Sequence, residues 1–203
     1  MGVGIVFMFE VVPGVVDEGL LNTFAEALKL PKETVERARE IYSRVVAAGL
    51  LRGRSRDGFI AASILAALRL EGWPVTSEDV AVALYRDFWR SAEKRIRHSY
   101  RLILRALNLS PPAPDAELFT TRYANILGVD EEVRERALNI VRAAKELQYT
   151  QGKNSKIIAL AALYLASSRT LHLDYISRRT LCSKQAVKER ALDLTAKLGE
   201  NIP

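Results

Sequence analysis

The chain has 203 residues and a mass of 22.7 kDa, which suits one large domain or two of about 100 residues each. Apolar residues at 49% and charged residues at 27% support a packed core and exclude wholesale disorder, and no run of about 18 uncharged apolar residues is present, which excludes a membrane-spanning helix. One cysteine (Cys182) and two histidines (His98 and His172) exclude a disulfide framework and a multi-cysteine zinc site, while the net charge of +6 is compatible with an anionic partner.

Residues 1–16 are apolar apart from Glu10. No Lys or Arg precedes the run, as a signal peptide would require, and the β-branched content with the Pro13-Gly14 turn suggests a short arm packed on the body. Helical spacing begins at Asp17, a candidate cap, with Leu20, Leu21, Phe24, Ala27 and Leu28 on one face up to Lys29. Pro31 sits at a favoured first-turn position, and Val35, Ala38, Ile41, Tyr42, Val45 and Val46 carry a second helix to Gly49. Ser55–Glu71 is the third. Its centre, Phe59 to Leu68, is apolar on every side, so it must be surrounded by other helices. Thr76 and Ser77 cap a fourth helix through Leu84, and a fifth spans about Glu93–Leu107.

Three prolines within Asn108–Asp115 make a linker over residues 108–115. Beyond it, helices are expected over about Ala116–Leu127, Glu131–Leu147, Ser155–Ser168, Leu173–Thr180 and Lys184–Leu198, with no strand pattern after residue 16.

The two halves are alike. A shift of 99 residues aligns Phe24–Arg69 with Tyr123–Ser168 without a gap, and ten of the 46 pairs are identical, among them Glu36/Glu135, Arg37/Arg136, Ala38/Ala137, Ile41/Ile140 and Gly53/Gly152. A period this long means two similar domains rather than a solenoid. The chain is therefore expected to be all-α: an arm (1–16), a first five-helix repeat (17–107), the linker (108–115) and a second repeat (116–203).

Each repeat carries an excess of four cations, concentrated near its end. Segment 86–105 holds Arg86, Arg90, Lys94, Arg95, Arg97, Arg101 and Arg105; segment 178–197 holds Arg178, Arg179, Lys184, Lys188, Arg190 and Lys197. Two equivalent basic ends on duplicated domains point to nucleic acid. The second end also has helix-turn-helix form: a short helix, a turn over Leu181–Ser183, a Ser183 cap, and Ile176 and Val187 as pins. Lys184, Gln185, Lys188 and Glu189 would lead into a groove, with Gln185 suited to a base edge and Lys188 to guanine or phosphate. Taken alone, this segment fits an ordinary helical hairpin closing the domain better. In the first repeat the corresponding span, Val80 to Ile96, is five residues longer, and the excess lies in Tyr85–Ser91. An aromatic there either docks on a partner or plugs its own core.

Leu30-Pro31-Lys32 followed by Glu36-Arg37-Ala38-Arg39-Glu40-Ile41-Tyr42, Gly49 through Ser55, Ser99-Tyr100-Arg101-Leu102-Ile103 with Leu107-Asn108-Leu109, and Ala161 through Ser167 together resemble the core of archaeal transcription factor B, related to eukaryotic transcription factor IIB. The resemblance covers about Asp17 to Pro203. It implies two five-helix cyclin-like repeats, the second ending in a helix-turn-helix. It also implies an initiation factor, at work in the archaeal cytoplasm on the nucleoid, that binds the TATA-binding protein on promoter DNA, contacts DNA on both sides of the TATA box and brings in RNA polymerase. On this pattern Arg54 and Ser55, with Lys153, Asn154 and Ser155, lie near phosphates, and Gln185 and Lys188 align with base-reading positions usually occupied by Val and Arg. Lys94, Arg95, Arg97, Lys184 and Arg190 complete the candidate DNA-binding set. The family's zinc ribbon needs four metal ligands, and Cys182 alone does not supply them, which weakens polymerase as a partner. Two other roles compete: a paralogous regulator that occupies the same site without recruiting polymerase, and a cyclin-like protein-interaction module. No phosphate-cradling glycine loop, paired catalytic carboxylates or activated nucleophile is recognisable, so neither enzymatic activity, a cofactor nor a metal is expected.

Overall fold

Polar caps set the helix starts. In the computed structural model, which describes residues 17–199, the carboxylates of Asp17, Asp115 and Asp130, the hydroxyls of Ser55, Thr76 and Ser183 and the amide oxygen of Asn154 each accept a backbone N–H in the first turn of the helix that follows. At Thr76 the arrangement is reciprocal, because the Asp79 carboxylate also accepts the Thr76 backbone N–H at 2.8 Å. The arm expected over residues 1–16 lies outside the described residues.

The helices are α1 (Glu18–Ala27), α2 (Lys32–Ala47), α3 (Arg56–Leu70), α4 (Ser77–Tyr85), α5 (Trp89–Ala106), α6 (Ala116–Leu127), α7 (Glu131–Glu146), α8 (Ser155–Ala166), α9 (Leu173–Thr180) and α10 (Lys184–Leu198). A 3₁₀ turn, Arg86–Phe88, joins α4 to α5. No strand occurs among the described residues, and none of their helices is long and apolar enough to cross a membrane. The chain divides into two units, one ending at Pro112 and the other beginning at Ala113, and each has its own apolar core.

In the first unit α3 is the axis. Every residue from Gly58 to Leu68 is buried, and α1, α2, α4 and α5 pack against it. Ser63, the one hydroxyl in that stretch, donates to the Phe59 carbonyl at 2.9 Å and so carries no unmet donor into the core. In the second unit α8 plays this part: Ile158 to Leu163 are fully buried, α6, α7 and α10 surround it, and α9 packs on α6 and α10. The duplication extends to backbone conformation, since Gly53 and Gly152, 99 residues apart, both have φ +68° in the turn before the central helix. That left-handed value is why glycine stands at both places.

Two sequence expectations shift. Pro31 is the residue before α2 rather than its first turn, with extended backbone (φ −60°, ψ 151°). The fifth helix begins at Trp89 instead of about Glu93, because the 3₁₀ turn feeds directly into it and Trp89 and Ala92 pack on the core of the first unit.

Candidate nucleic-acid interface

In the second unit, α9 ends on Leu181 in left-handed conformation (φ 57°), Cys182 turns inward and is buried, and the Ser183 hydroxyl accepts the Ala186 N–H at 3.5 Å to start α10. Ile176 and Val187 are both buried in the same core, as pins of a helix-turn-helix must be. Lys184, Gln185, Lys188 and Glu189 are left exposed on the first turns of α10. Three of them already hold partners: Lys184 Nζ lies 2.5 Å from the Asp174 carboxylate on α9, and Gln185 Nε2 donates to Glu189 at 2.7 Å. The hydrogen bond and charge of Lys184 hold the Asp174 carboxyl below its ordinary range. Lys188 has no carboxylate partner among the described residues, so its charge is available in full.

The start of α8 supplies a second cationic point. After the Gly152 turn, the Asn154 amide oxygen accepts the backbone N–H of Lys156 at 3.0 Å and of Ile157 at 3.4 Å, and Lys153 stays exposed. Lys153 Nζ stands 4.3 Å from the centre of the Tyr149 ring, within cation–π range. Tyr149 is buried, and its hydroxyl reaches α10: Arg190 donates to it at 2.7 Å, and it donates to the Asp193 carboxylate at 3.3 Å. The Arg190 guanidinium also lies 5.6 Å from the ring centre. Burial raises the Tyr149 hydroxyl above its ordinary pKa, with the Arg190 hydrogen bond acting against it. Tyr149 thus links the start of α8 to the recognition-type helix, and Arg190 is directed into this junction rather than outward. Sequence reasoning missed Tyr149; its signal was an aromatic three residues before the Gly152 turn, on the approach to the central helix.

The first unit is built differently at the equivalent place. Arg54 is exposed and donates to the Leu50 carbonyl at 2.9 Å, bracing its own turn. The Ser55 hydroxyl caps α3 by accepting the Gly58 N–H at 3.4 Å and donates to the Asp57 carboxylate. Asp57 also accepts the Tyr85 hydroxyl at 3.0 Å and Arg95 Nη2 at 3.4 Å. Burial pushes the Asp57 carboxyl up, but the hydrogen bonds from Ser55, Tyr85 and the Gly58 amide, with the charge of Arg95, outweigh it and leave the group below its ordinary range. Burial and the neighbouring Asp57 carboxylate push the Tyr85 phenol well up. Position 57 corresponds to Lys156 in the second repeat, so a carboxylate stands where the other copy has a cation. Ser55 and Arg95 are accordingly occupied within the fold, and the α3 start is partly neutralised.

Along α5, Arg90, Lys94, Arg97, Arg101 and Arg105 are exposed at three- and four-residue spacing, which puts them on one face. Arg97 lies 3.6 Å from Glu93, which also accepts the Ser77 hydroxyl at 2.9 Å; Lys94 has no carboxylate partner among the described residues. No cluster of three or more His, Cys, Asp or Glu suited to a metal ion occurs among the described residues.

A family model for the transcription factor TFIIB repeat matches the chain twice, over residues 18–106 and 110–198. The chain is 35% identical over 190 residues to transcription initiation factor IIB of Pyrococcus abyssi, covering 90% of this chain and 61% of that protein. It is 33% identical over 188 residues to the protein of that name from Saccharolobus shibatae, covering 90% of this chain and 59% of the relative. With the Archaeoglobus fulgidus protein, also transcription initiation factor IIB, it shares 37% identity over 147 residues, 72% of this chain and 44% of the relative. The chain thus spans less than two thirds of the length of these curated relatives.

Proposed function

The chain belongs to the transcription factor IIB family, and on that premise we propose that it is the DNA-clamping core of a transcription initiation factor. It binds the complex of the TATA-binding protein with promoter DNA and touches the duplex beside the TATA box. The observation that carries this reading is the second unit, where Lys153 in the turn before α8 and Lys184, Gln185 and Lys188 on the first turns of α10 are all exposed, while Tyr149 ties Lys153 to α10 through Arg190. Exposed cations at helix starts, where backbone N–H groups also point outward, favour phosphate. Lys153 and Lys188 are assigned to phosphates, with Asn154 and Ser155 shaping the α8 start. Gln185 is the base-edge reader, and Lys184 must leave Asp174 to join it. In the first unit Arg54, Lys94 and Arg97 are the outward contacts, while Ser55 and Arg95, like Arg190 in the second unit, hold their neighbours in place.

The role is binding rather than catalysis, and RNA polymerase is the further partner on this reading. A mobility-shift assay with the TATA-binding protein on TATA-box DNA tests it: the chain adds a slower complex whose affinity falls steeply with salt. Absence of that complex at low salt, across varied upstream sequences, contradicts it. In vitro transcription, with the chain supplied alone and then beside a full-length family member, separates promotion of initiation from competition for the site.

A further inference from the structure

Phe88 is 76% exposed, more than any other large apolar side chain among the described residues. It is no loose loop tip. On one side Tyr85 is fixed, through its hydroxyl to Asp57 and its ring against Phe24 at 5.8 Å between centres. On the other, Trp89 packs on the core at the start of α5. Between them Arg86 takes a positive φ of 41° with ψ −108°, a conformation that a side-chain-bearing residue adopts only when its surroundings impose it. The fold therefore spends backbone strain to hold an apolar ring in solvent, and it does so at a three-residue joint as long as the Leu181–Ser183 joint of the second unit, where Cys182 is instead turned into the core.

The surroundings of the ring are cationic rather than apolar. Arg86 and Arg90 are exposed on either side, and the α5 row continues from Arg90 through Lys94, Arg97 and Arg101. Asp87 is the one carboxylate in the 3₁₀ turn, and Glu93, the only one on α5, is turned to Arg97 and Ser77. An apolar wedge flanked by arginines and continued by a cationic row is the arrangement by which proteins enter a groove, part a base step and hold the adjoining phosphates. We propose that the Arg86–Arg90 tip is a DNA wedge: Phe88 inserts at a base step of duplex DNA while Arg86, Arg90 and Lys94 hold the flanking phosphates. This deepens the promoter-binding reading and rests on it for the duplex. It makes the two units unequal, the second reading base edges and the first deforming the helix.

The test uses the full chain and TATA-box duplexes with 2-aminopurine placed in turn at each adenine flanking the box, with and without the TATA-binding protein. Phe88 is exposed, so Phe88→Ala and Phe88→Leu should leave the melting curve unchanged. The wild-type chain raises the fluorescence at one position; Phe88→Leu keeps most of that rise, and Phe88→Ala abolishes it and weakens binding about tenfold at an unchanged salt slope. Arg90→Ala and Lys94→Ala each lower the slope by about one. If Phe88→Ala matches the wild type at every position and in affinity, the wedge is wrong and the promoter-binding reading stands. Loss of affinity for the DNA-free TATA-binding protein, with DNA binding intact, makes the tip a protein-docking residue and equally overturns it. If the wild type binds duplex indifferently to the TATA-binding protein and still depends on Phe88, the wedge holds and the initiation reading falls. No DNA binding at all removes both.

Discussion

The Tyr85 hydroxyl donates to the Asp57 carboxylate at 3.0 Å and so fastens the end of α4 to the first turn of α3. Asp57 collects Ser55 and Arg95 as well, and at the equivalent position of the second repeat the residue is Lys156. The second position of the central helix therefore carries opposite charge in the two copies. In the first copy it turns two side chains that would meet phosphate into partners of a carboxylate.

The lowered pKa of Asp57 fixes a pH dependence. A carboxyl whose folded-state pKa lies below its unfolded value stabilises the fold above the ordinary carboxylate range and loses that contribution as pH falls through the folded value. Thermal melts between about pH 5 and pH 2 should show the wild type losing more stability than Asp57→Asn, which has no proton to take up there. Equal acid limbs would mean the pairing contributes nothing.

The same variant should bind DNA better. Removing the carboxylate releases Ser55 and Arg95 and relieves the negative charge at the α3 N-terminus. An affinity gain of about two- to fivefold at low salt is expected from a helix-terminus charge of this kind. A mobility-shift titration that finds weaker binding contradicts the assignment of this end of α3 to phosphate.

Arg190 and Lys188 separate structure from recognition although they are neighbours. Arg190→Ala leaves the Tyr149 hydroxyl without its 2.7 Å donor and should cost about 1–3 kcal/mol in urea unfolding. Lys188→Ala and Lys153→Ala should leave stability nearly unchanged and each lower the salt slope of DNA binding by about one. A stability loss for Lys188→Ala as large as that for Arg190→Ala would place Lys188 in the fold rather than at the interface.

The central helices should tolerate truncation poorly. Ile60 in α3 and Ile158 in α8 are fully buried, and cutting either to Ala should cost about 2–5 kcal/mol by chemical denaturation. A much smaller cost would mean that the neighbouring helices collapse into the space.

The fold was legible because its signals are local or repeated. The all-round apolar run from Phe59 to Leu68 can only be a buried helix, the prolines between residues 108 and 115 break helix, and the 99-residue period shows the duplication. The matched φ of Gly53 and Gly152 is the same duplication seen in the backbone. The site was legible only in part. Which residues are cationic can be read from the sequence, but whether a cation is spent inside the fold depends on contacts far apart in the chain. Asp57 with Arg95 and Tyr149 with Arg190 are separated by 38 and 41 residues, and no spacing rule links them. The Tyr85–Ser91 insertion divides its aromatics: Tyr85 and Trp89 pack on the core while Phe88 faces water, a division set by the strained turn at Arg86.

On the proposed function, cationic helix starts grip promoter DNA beside the TATA-binding protein. The most direct measurement is the affinity of the chain for the TATA-binding protein–TATA DNA complex across a salt series, compared between the wild type and a Lys153→Ala/Lys188→Ala double variant. The wild type should show a steep linear fall of log affinity with log salt, and the variant a slope smaller by about two. Identical slopes for the two proteins, or a wild-type affinity indifferent to salt, would contradict it.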